Sequence, residues 1–444
     1  MSWILSALLA VVALAPVQPN EIEDYLREQQ AELRIPGLAY VVVGPSGVIS
    51  QGAWGVEADT PFLIGSVSKP VTAQAVMRLV EAGRVGLDDP VRRHVPWFDL
   101  ADEDAAARIT VRHLLTHTSG LGQWASRTDR FDNSADGLAR SVRDLADVEP
   151  ERAPGAAHEY SDANYMVLGA LVETVSGKPY GEFLRSEIFE PLGMEHAAAT
   201  EADAQRVGLP AGHRYWLGHP RGFDRGYDTS GSPYGYVAAS LDDMARFARD
   251  HLGGRHSEMH KGQTANGYGL GWRDTEMDGT RVVWHAGATP GFFAHVVLLP
   301  DADVAVVVLA NSYSLALDGS LAALGFNVAR MTQGQAVQTS DTDPTFSVVL
   351  YVLLAVAALL VIGIARTLIR RRFRLLSAIL WAAGCAVLIA LVLVVLPAQL
   401  GGDLGMALLW TPDIGWAALV VAALAIILIA VICHKVVRRH VLKA

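Results

Sequence analysis

The chain is poor in cysteine and in basic charge. It has two cysteines among 444 residues, too few for a disulfide scaffold or a cysteine-rich zinc domain. Lysine and arginine number 36 against 46 aspartate and glutamate residues, which gives a net charge of −10. Because a nucleic-acid-binding domain carries a basic face, nucleic acid is not an expected partner.

Several catalytic and cofactor-binding motifs are also absent from the sequence. There is no G-x-S-x-G elbow, no H-E-x-x-H pair and no phosphate-binding G-x-x-x-x-G-K-[ST] loop. The 14 histidines show no metal-ligand spacing. We therefore expect neither a metal nor another cofactor.

Charged residues make up only 18% of the chain, against about 25% in a typical soluble protein. Near the C-terminus, the segments 346–365, 375–396 and 415–433 are uncharged runs of 20, 22 and 19 residues. A helix that crosses the hydrocarbon core of a bilayer needs about 20 apolar residues. Residues 346–444 are therefore predicted to form a membrane anchor of three transmembrane helices in contact with lipid.

Basic residues lie between the first two runs and after the third run, but not between the second and third. Between the second and third runs lie only Asp403 and Asp413, whereas the other two flanks carry Arg366, Arg370, Arg371, Arg372 and Arg374, and Lys435, Arg438, Arg439 and Lys443. Positive charge marks the cytoplasmic side of a membrane protein. The pattern predicts a multi-pass protein of the cell membrane with a cytoplasmic C-terminus and an extracytoplasmic body before residue 346.

The N-terminus is consistent with export. Residues 3–15 are an apolar stretch of the size of a signal-peptide core, although no lysine or arginine precedes it. Residues 1–19 are interpreted as a signal peptide or a retained anchor, and both alternatives stay open. Residues 20–335 then form the exported body, and the polar residues 336–345 form a linker.

Within this body, strand-like and helical patterns are separated along the chain. Residues 38–43 and 48–54 read as a hairpin, and three more β-rich segments lie between residues 282 and 309. Helical spacing dominates the residues between them. The pattern predicts an α+β fold in which N- and C-terminal strands share one antiparallel sheet, flanked by helices that include a helical subdomain.

A serine and a lysine lie three residues apart at the start of a predicted helix. Residues three apart share one helix face, so Lys69 is within reach of the Ser66 hydroxyl and suited to help remove its proton. The N–H groups at the helix start are available to developing negative charge. This arrangement is typical of a nucleophile, although S-x-x-K alone is a weak signal.

Six blocks in the same order resemble the serine β-lactamase and penicillin-recognising superfamily, in particular its class C β-lactamase-related serine hydrolases. The third element has the H-x-G form of D-peptidase-like and esterase-like members. The blocks are Phe62 to Val91, Leu114-Leu115-Thr116-His117-Thr118-Ser119-Gly120-Leu121, Tyr160-Ser161-Asp162, Pro191-Leu192-Gly193-Met194, Tyr268-Gly269-Leu270-Gly271-Trp272 and Trp284-His285-Ala286-Gly287-Ala288-Thr289-Pro290-Gly291-Phe292.

The resemblance implies a role for each matched residue. Ser66 would be the acylated nucleophile, and Lys69 and Tyr160 would share the general-base work. His285 would orient Tyr160 or a substrate carboxylate. The backbone N–H groups of Ser66 and Ala288 would form the oxyanion hole. By the same resemblance the block that contains His117 is structural rather than catalytic.

Two further positions, Asp162 and Gly287, are expected to contact substrate. Asp162 stands where the family usually has asparagine, and an ionised carboxylate cannot donate a hydrogen bond. It would instead pair with Lys69 and weaken that residue as a base. This departure argues against β-lactam hydrolysis more than against ester or peptide hydrolysis.

The predicted function is an exported, membrane-tethered serine hydrolase that acts through an acyl-enzyme on an amide or ester. The substrate would be a cell-wall D-peptide or a small ester. The alternative is a non-catalytic, penicillin-binding-type receptor or sensor for wall fragments, which the unusual Asp162 motivates.

Overall fold

The computed structural model describes residues 19–123, 128–340, 343–370, 375–399 and 402–441. The signal peptide or anchor predicted for residues 1–19 lies outside this part, apart from Pro19, which begins the first helix. Arg371, Arg372, Arg374 and Lys443, which entered the topology prediction, also lie outside it.

Eleven strands occur in the described residues. They are β1 (Leu38–Gly44), β2 (Gly47–Trp54), β3 (Phe62–Leu63), β4 (Gly212–Trp216), β5 (His219–Phe223), β6 (Ala238–Ala239), β7 (Arg273–Met277), β8 (Thr280–Thr289), β9 (Phe292–Leu299), β10 (Val304–Ala310) and β11 (Ser312–Tyr313).

Six of these strands form the main sheet, in the order β2-β1-β10-β9-β8-β7 with antiparallel neighbours throughout. The N-terminal hairpin joins the C-terminal strands where β1 pairs with β10, with Tyr40 opposite Val308. Valine-rich runs in both strands suit a buried pleated surface. The predicted antiparallel sheet of an α+β fold is confirmed.

Thirteen α-helices occur in the described residues of the body. They are α1 (Pro19–Glu32), α2 (Ser68–Glu81), α3 (Val91–His94), α4 (Glu103–Arg108), α5 (Val111–Leu115), α6 (Gly137–Arg143), α7 (Asp162–Ser176), α8 (Tyr180–Leu184), α9 (Glu190–Leu192), α10 (Glu201–Arg206), α11 (Leu241–Leu252), α12 (Ser257–His260) and α13 (Asp318–Thr332).

Both faces of the sheet are covered by helices, as the alternating side chains of β1 require. Ala39, Val41 and Val43 belong to the large core that includes residues of α2, α7 and α11. Leu38 and its alternate neighbours pack on the other face with α1 and α13. The main sheet is therefore the middle layer of three, and α2, which follows Ser66, lies on the large-core side.

Local capping explains where the helices that position the site begin and end. Ser240 and Asp243 form a reciprocal capping box at the start of α11, which satisfies N–H groups that the helix leaves unpaired. Gly177 ends α7 with φ +75°, a conformation that glycine adopts without steric cost.

Beyond the body, the chain forms a bundle of apolar helices. These are α14 (Pro344–Ile369), α15 (Leu375–Ala390), α16 (Leu396–Gln399), α17 (Leu404–Trp410) and α18 (Pro412–Val441). Three continuous spans, Pro344–Ile369, Leu375–Gln399 and Pro412–Arg438, are long and apolar enough to cross a membrane. The three predicted apolar helices are thus confirmed.

The two ends of this bundle differ in charge and in contacts. At one end Lys435 donates to the carbonyl oxygens of Leu368 (2.6 Å) and Arg370 (2.7 Å). At the other end Arg214 of the body donates to the carbonyl oxygen of Leu409 at 2.8 Å. Basic residues therefore gather at the end of the bundle away from the body. Residues 336–340 follow the body, where the backbone N–H of Gln338 donates to Asn327 at 2.9 Å.

His295 in β9 predicts how the stability of the body responds to acid. Its side chain is fully buried beside Phe326, with ring centroids 4.7 Å apart, and burial lowers its pKa to about 3. The unfolded chain therefore binds the proton first, and this contribution to stability is complete above about pH 6.5 and is lost as the pH falls. Between pH 7 and pH 5 the loss is about 2 kcal/mol.

We expect His295→Leu to reduce the drop in thermal midpoint between pH 7 and pH 5 by a few degrees. Thermal unfolding of the full chain in detergent measures it. His219→Leu, at an exposed position of β5, is the control and should keep the wild-type drop. An unchanged drop in His295→Leu would show that other groups carry the acid sensitivity.

Candidate active site

Ser66 lies in a tight turn that precedes α2. The turn, Gly65–Val67, follows β3 and is anchored to the chain before α11: Ile64 N–H donates to the Val237 carbonyl oxygen at 2.9 Å, and Val237 N–H donates to Ser68 Oγ at 3.1 Å. Gly65 has φ +53°. The prediction that Ser66 begins a helix is therefore right in outline, but the serine itself lies in a turn of 3₁₀ helix before α2.

Lys69 is the centre of the polar contacts around Ser66. Its side chain is fully buried, and Nζ donates to Ser66 Oγ at 2.9 Å and to the carbonyl oxygen of Tyr234 at 2.8 Å. Nζ is also 2.6 Å from Asp162 Oδ1, at the start of α7. The contact that was expected from the replacement of an amide by a carboxylate is thus present.

Tyr160 stacks over the same ammonium group. The Lys69 nitrogen lies 4.8 Å from the centroid of the Tyr160 ring, within the range of a cation–π contact. Burial raises the pKa of Tyr160 and the Asp162 carboxylate raises it further, while the Ser66 hydroxyl offsets part of the rise. Tyr160 is therefore a neutral phenol at physiological pH rather than a tyrosinate.

His285 has different partners from those expected. Its ring centroid is 6.4 Å from that of Tyr160, but its nitrogens bond to Tyr268 Oη (3.1 Å) and to the carbonyl oxygen of Ala286 (2.7 Å). Burial lowers its pKa well below the usual value, and the cations Lys69 and Arg273 add to this. His285 is therefore neutral. Among the described residues it is connected to Tyr160 through Tyr268 and His117 rather than by a direct hydrogen bond.

Those side chains form a relay whose proton positions are fixed at both ends. Ser161 N–H donates to His117 Nδ1 at 3.1 Å, so the proton of His117 is on Nε2, which bonds to Tyr268 Oη at 3.2 Å. Tyr268 then donates to His285 Nε2, and His285 Nδ1–H donates to Ala286. The His117 ring also lies 4.3 Å from that of Tyr160. Two backbone groups thus determine both histidine tautomers.

The turn at Ser66 and strand β8 approach each other closely. A Cβ on Gly287 would lie 2.2 Å from the Ile64 carbonyl oxygen and 2.5 Å from Ser66 N, and one on Gly65 would lie 2.3 Å from Ala288 N. Only glycine fits at both positions. The approach brings the N–H groups of Ser66 and Ala288, the predicted oxyanion hole, to neighbouring positions. It also makes Gly287 a packing residue beside the predicted site.

One cavity of about 880 Å³ brings the predicted residues together. Its lining includes Ser66, Tyr160, Asp162 and Ala288, while Lys69 and His285 lie buried behind it. Thr289, also in the lining, has a buried hydroxyl without a hydrogen-bond partner among the described residues. Such a hydroxyl is suited to contact a bound carbonyl or carboxylate.

Sequence reasoning missed three parts of this site. Tyr268 belongs to one of the six blocks but was given no role, and no signal in the sequence indicates its contact with the two histidines. Asp129 lines the cavity, accepts from Tyr236 Oη at 2.7 Å, and has its pKa raised to about 6 by burial. The third part is the segment between the second and third apolar helices, which contributes Trp410 to the lining.

The described residues contain no group of three or more histidine, cysteine, aspartate or glutamate side chains that could hold a metal ion. The groups in and directly behind the cavity are a hydroxyl, an amine side chain, a phenol, carboxylates and backbone N–H groups. A hydroxyl that bonds to a buried amine, with two backbone N–H groups close together beside it, is suited to act as an activated nucleophile.

Comparison with known proteins gives one family. The family model described as Beta-lactamase matches residues 22–329. Penicillin-binding protein 4 of Amycolatopsis lactamdurans is 32% identical over 316 residues, which are 64% of this chain and 82% of that protein. Protein flp of Staphylococcus aureus (strain N315) is 24% identical over 314 residues, 66% of this chain and 63% of flp. The chain thus spans less than two thirds of flp.

Solved structures agree on the fold. The octameric penicillin-binding protein homologue from Pyrococcus abyssi superimposes with a TM-score of 0.61 at 22% identity, over 75% of this chain and 81% of that one. SurE gives a TM-score of 0.59 at 24% identity, over 73% and 78%. The family match ends at residue 329, before the apolar helices begin.

The relay through Tyr268 predicts a positioning effect on the serine. Tyr268→Phe removes the hydroxyl between His117 and His285 and leaves two buried nitrogens without partners. We expect the reaction of Ser66 with a fluorophosphonate to slow about tenfold, since a buried hydrogen bond contributes about 1 kcal/mol and an unpaired group costs more. Loss of the bond that Tyr268 donates should also raise the pKa of His285 and shift the acid limb of the rate profile to higher pH.

Tyr227→Phe is the matched control. Tyr227 is a buried tyrosine outside the relay, and its hydroxyl donates to the Ala198 carbonyl oxygen at 3.2 Å. We expect Tyr227→Phe to lower the thermal midpoint about as much as Tyr268→Phe does, and to leave the pH profile of Ser66 labelling unchanged. Equal rates and identical pH profiles in the two variants would contradict the relay.

Proposed function

The chain belongs to the beta-lactamase family, and we propose that it is an exported, membrane-tethered serine hydrolase that acts on an ester or amide through an acyl-enzyme at Ser66. The observation that carries this proposal is the 2.9 Å distance between the buried Lys69 Nζ and Ser66 Oγ, which lines the cavity. The relatives named above include a penicillin-binding protein, which supports an acyl-transfer reaction.

The proposed reaction begins with attack of Ser66 Oγ on the substrate carbonyl. Because Tyr160 is a neutral phenol, we assign the general-base step to Lys69 in its unprotonated form. The Ser66 and Ala288 N–H groups would hold the tetrahedral oxyanion. The proton taken from Oγ passes to the departing alcohol or amine as its bond to the carbonyl carbon breaks. Attack by water then releases the acid and frees Ser66.

Asp162 restrains this base in the proposed mechanism. Its carboxylate lies 2.6 Å from the Lys69 nitrogen, and this ion pair must be given up before Lys69 can act on the Ser66 hydroxyl. The resting enzyme is thereby stabilised relative to the form in which Lys69 acts as a base. Acylation of Ser66 should therefore be slower than it would be with an amide at position 162. We infer that β-lactams are poor substrates and that esters or D-peptides are the favoured classes.

A second candidate function is a non-catalytic receptor or sensor of wall fragments. The Lys69–Asp162 ion pair favours it, because a permanently charged lysine would leave Ser66 without a base. Acylation followed by slow or absent hydrolysis would give the same outcome, a covalently occupied binding site.

The membrane arrangement is also part of the proposal. Basic residues lie at the end of the apolar bundle away from the body, at Lys435 and at Arg366 and Arg370. By the positive-inside rule this end would be cytoplasmic, and the body with Ser66 would be extracytoplasmic. Membrane lipid would then surround the exposed apolar faces of α14, α15 and α18.

Labelling of the full chain in intact cells tests both the nucleophile and the export. A membrane-impermeant fluorescent fluorophosphonate should label wild-type protein, and Ser66→Ala should abolish labelling. Ser257→Ala, at an exposed position of α12 outside the cavity lining, is the control and should retain it. Labelling only after the cells are permeabilised would refute export. Absence of labelling in folded, permeabilised wild type would refute the covalent mechanism.

The role of Asp162 gives a separate prediction. Asp162→Asn removes the carboxylate beside Lys69 and restores an amide, so acylation by a fluorescent penicillin should become at least about tenfold faster at pH 7, which corresponds to about 1.4 kcal/mol. Stopped-time labelling of purified protein measures it.

Asp162→Ala removes the same charge without supplying the amide, and it separates the two effects. If alanine accelerates labelling as much as asparagine does, relief of the ion pair is the cause; if only asparagine does, the amide donor is. Slower labelling in both variants would mean that Asp162 assists the reaction, contrary to the proposal.

A further inference from the structure

The cavity that contains Ser66 has a wall from outside the family domain. We use the name roof segment for the described residues 397–399 and 402–411, which join the second and third apolar helices. The roof segment and Ser66 line the same cavity. Residues that the family match does not include, because it ends at residue 329, therefore complete the candidate active site.

The roof segment is held against the body by specific contacts. Arg214 in β4 donates to the carbonyl oxygens of Leu408 (3.0 Å) and Leu409 (2.8 Å). The Trp410 ring packs edge-on against Tyr313 of β11, with centroids 5.7 Å apart. Asp403 caps the short helix α17 by accepting from Met406 N–H at 2.9 Å. These contacts fix the roof segment in place, so that it forms one wall of the cavity.

The cavity lining combines polar groups at the nucleophile with apolar side chains from the roof segment. Ser66, Asp162 and Thr289 provide hydroxyl and carboxylate groups. The roof segment contributes the apolar Met406, Leu409 and Trp410, which add to Leu315 of the body, together with the polar Asp403 and Thr411. A ligand that fills this space would have a polar carbonyl group attached to a hydrocarbon portion.

The roof segment is continuous with the helices that are long enough to span a membrane. Pro397 lines the cavity and lies within the second apolar span, and Thr411 lines it immediately before the third span begins at Pro412. If the spans lie in a bilayer, the cavity lies at the level of the membrane surface. A hydrocarbon chain anchored in the bilayer could then reach the cavity without crossing bulk water.

We propose that the substrate is a membrane-resident amphiphile, with an ester or amide near its polar head and a hydrocarbon chain that contacts the roof. This inference rests on the proposed hydrolase function and narrows its substrate class. Met406, Leu409 and Trp410 are then specificity-determining residues that select for chain length. Ser66 cleaves the bond by the acyl-enzyme steps given above, and water releases the acid.

Monomeric p-nitrophenyl esters of increasing acyl length test the proposal on the full chain in nanodiscs. Wild-type kcat/KM should rise about 100-fold or more from the acetate to the octanoate, since a factor of about four for each fully buried methylene group sets a ceiling of roughly 4,000-fold for the six added groups. Trp410→Ala should lower kcat/KM for the octanoate about tenfold and leave the acetate within about twofold. Met406→Ala, a milder change, should act in the same direction.

Trp416→Ala is the matched control, since Trp416 is a 53% exposed tryptophan of the third apolar helix outside the cavity lining. It should leave both rates unchanged. Equal loss for both esters, faster acetate hydrolysis after removal of Trp410, or no chain-length preference in wild type would each overturn the proposal. Fluorophosphonate labelling of the same samples separates the outcomes: labelled Ser66 without chain-length preference refutes only the amphiphile, whereas no labelling refutes the hydrolase as well.

Discussion

The buried ammonium group of Lys69 is the interaction on which the site depends. A charge without exposure to water is costly unless it is paired and hydrogen-bonded. Four groups offset the cost of burying this charge: the Ser66 hydroxyl, the Asp162 carboxylate, the Tyr234 carbonyl oxygen and the face of the Tyr160 ring. These partners come from three separate segments of the chain, because Tyr160 and Asp162 are two residues apart. The same charge that organises them lowers the pKa values of His117 and His285.

Much of this arrangement could be predicted from the sequence, because it depends on local spacing. The three-residue separation of Ser66 and Lys69 places both on one side of a helix start, and the continuous apolar runs of β1 and β10 indicate strands buried on both faces. The apolar runs at the C-terminus identify the three long helices by composition alone. The chemical consequence of Asp162 for Lys69 also followed from charge and proximity within the family pattern.

Contacts between distant segments could not be predicted in this way. Nothing in the spacing of His117, Tyr268 and His285 indicates that one tyrosine hydroxyl lies between two histidine rings, since the three residues come from separate blocks. The role expected of His285, to orient Tyr160 or a substrate carboxylate, stays a prediction, and its bond to Tyr268 could not be foreseen for this reason. The contact of the roof segment with the body could not be predicted either, because the sequence around Asp403 and Asp413 indicates membrane topology and no partner in the body. Its packing on Arg214 depends on the placement of the whole bundle against the body.

The roof segment also sets the order in which the cavity can be completed. The contact between Arg214 and Leu408 joins residues 194 positions apart, and Leu408 is synthesised after every residue of the body and after the first two apolar helices. Closing such a long loop is slow compared with local folding. The sheet and the Ser66–Lys69 pair can therefore assemble first, with one side of the cavity still open. The complete cavity exists only once the last helix has packed, so maturation of the site is coupled to assembly of the bundle.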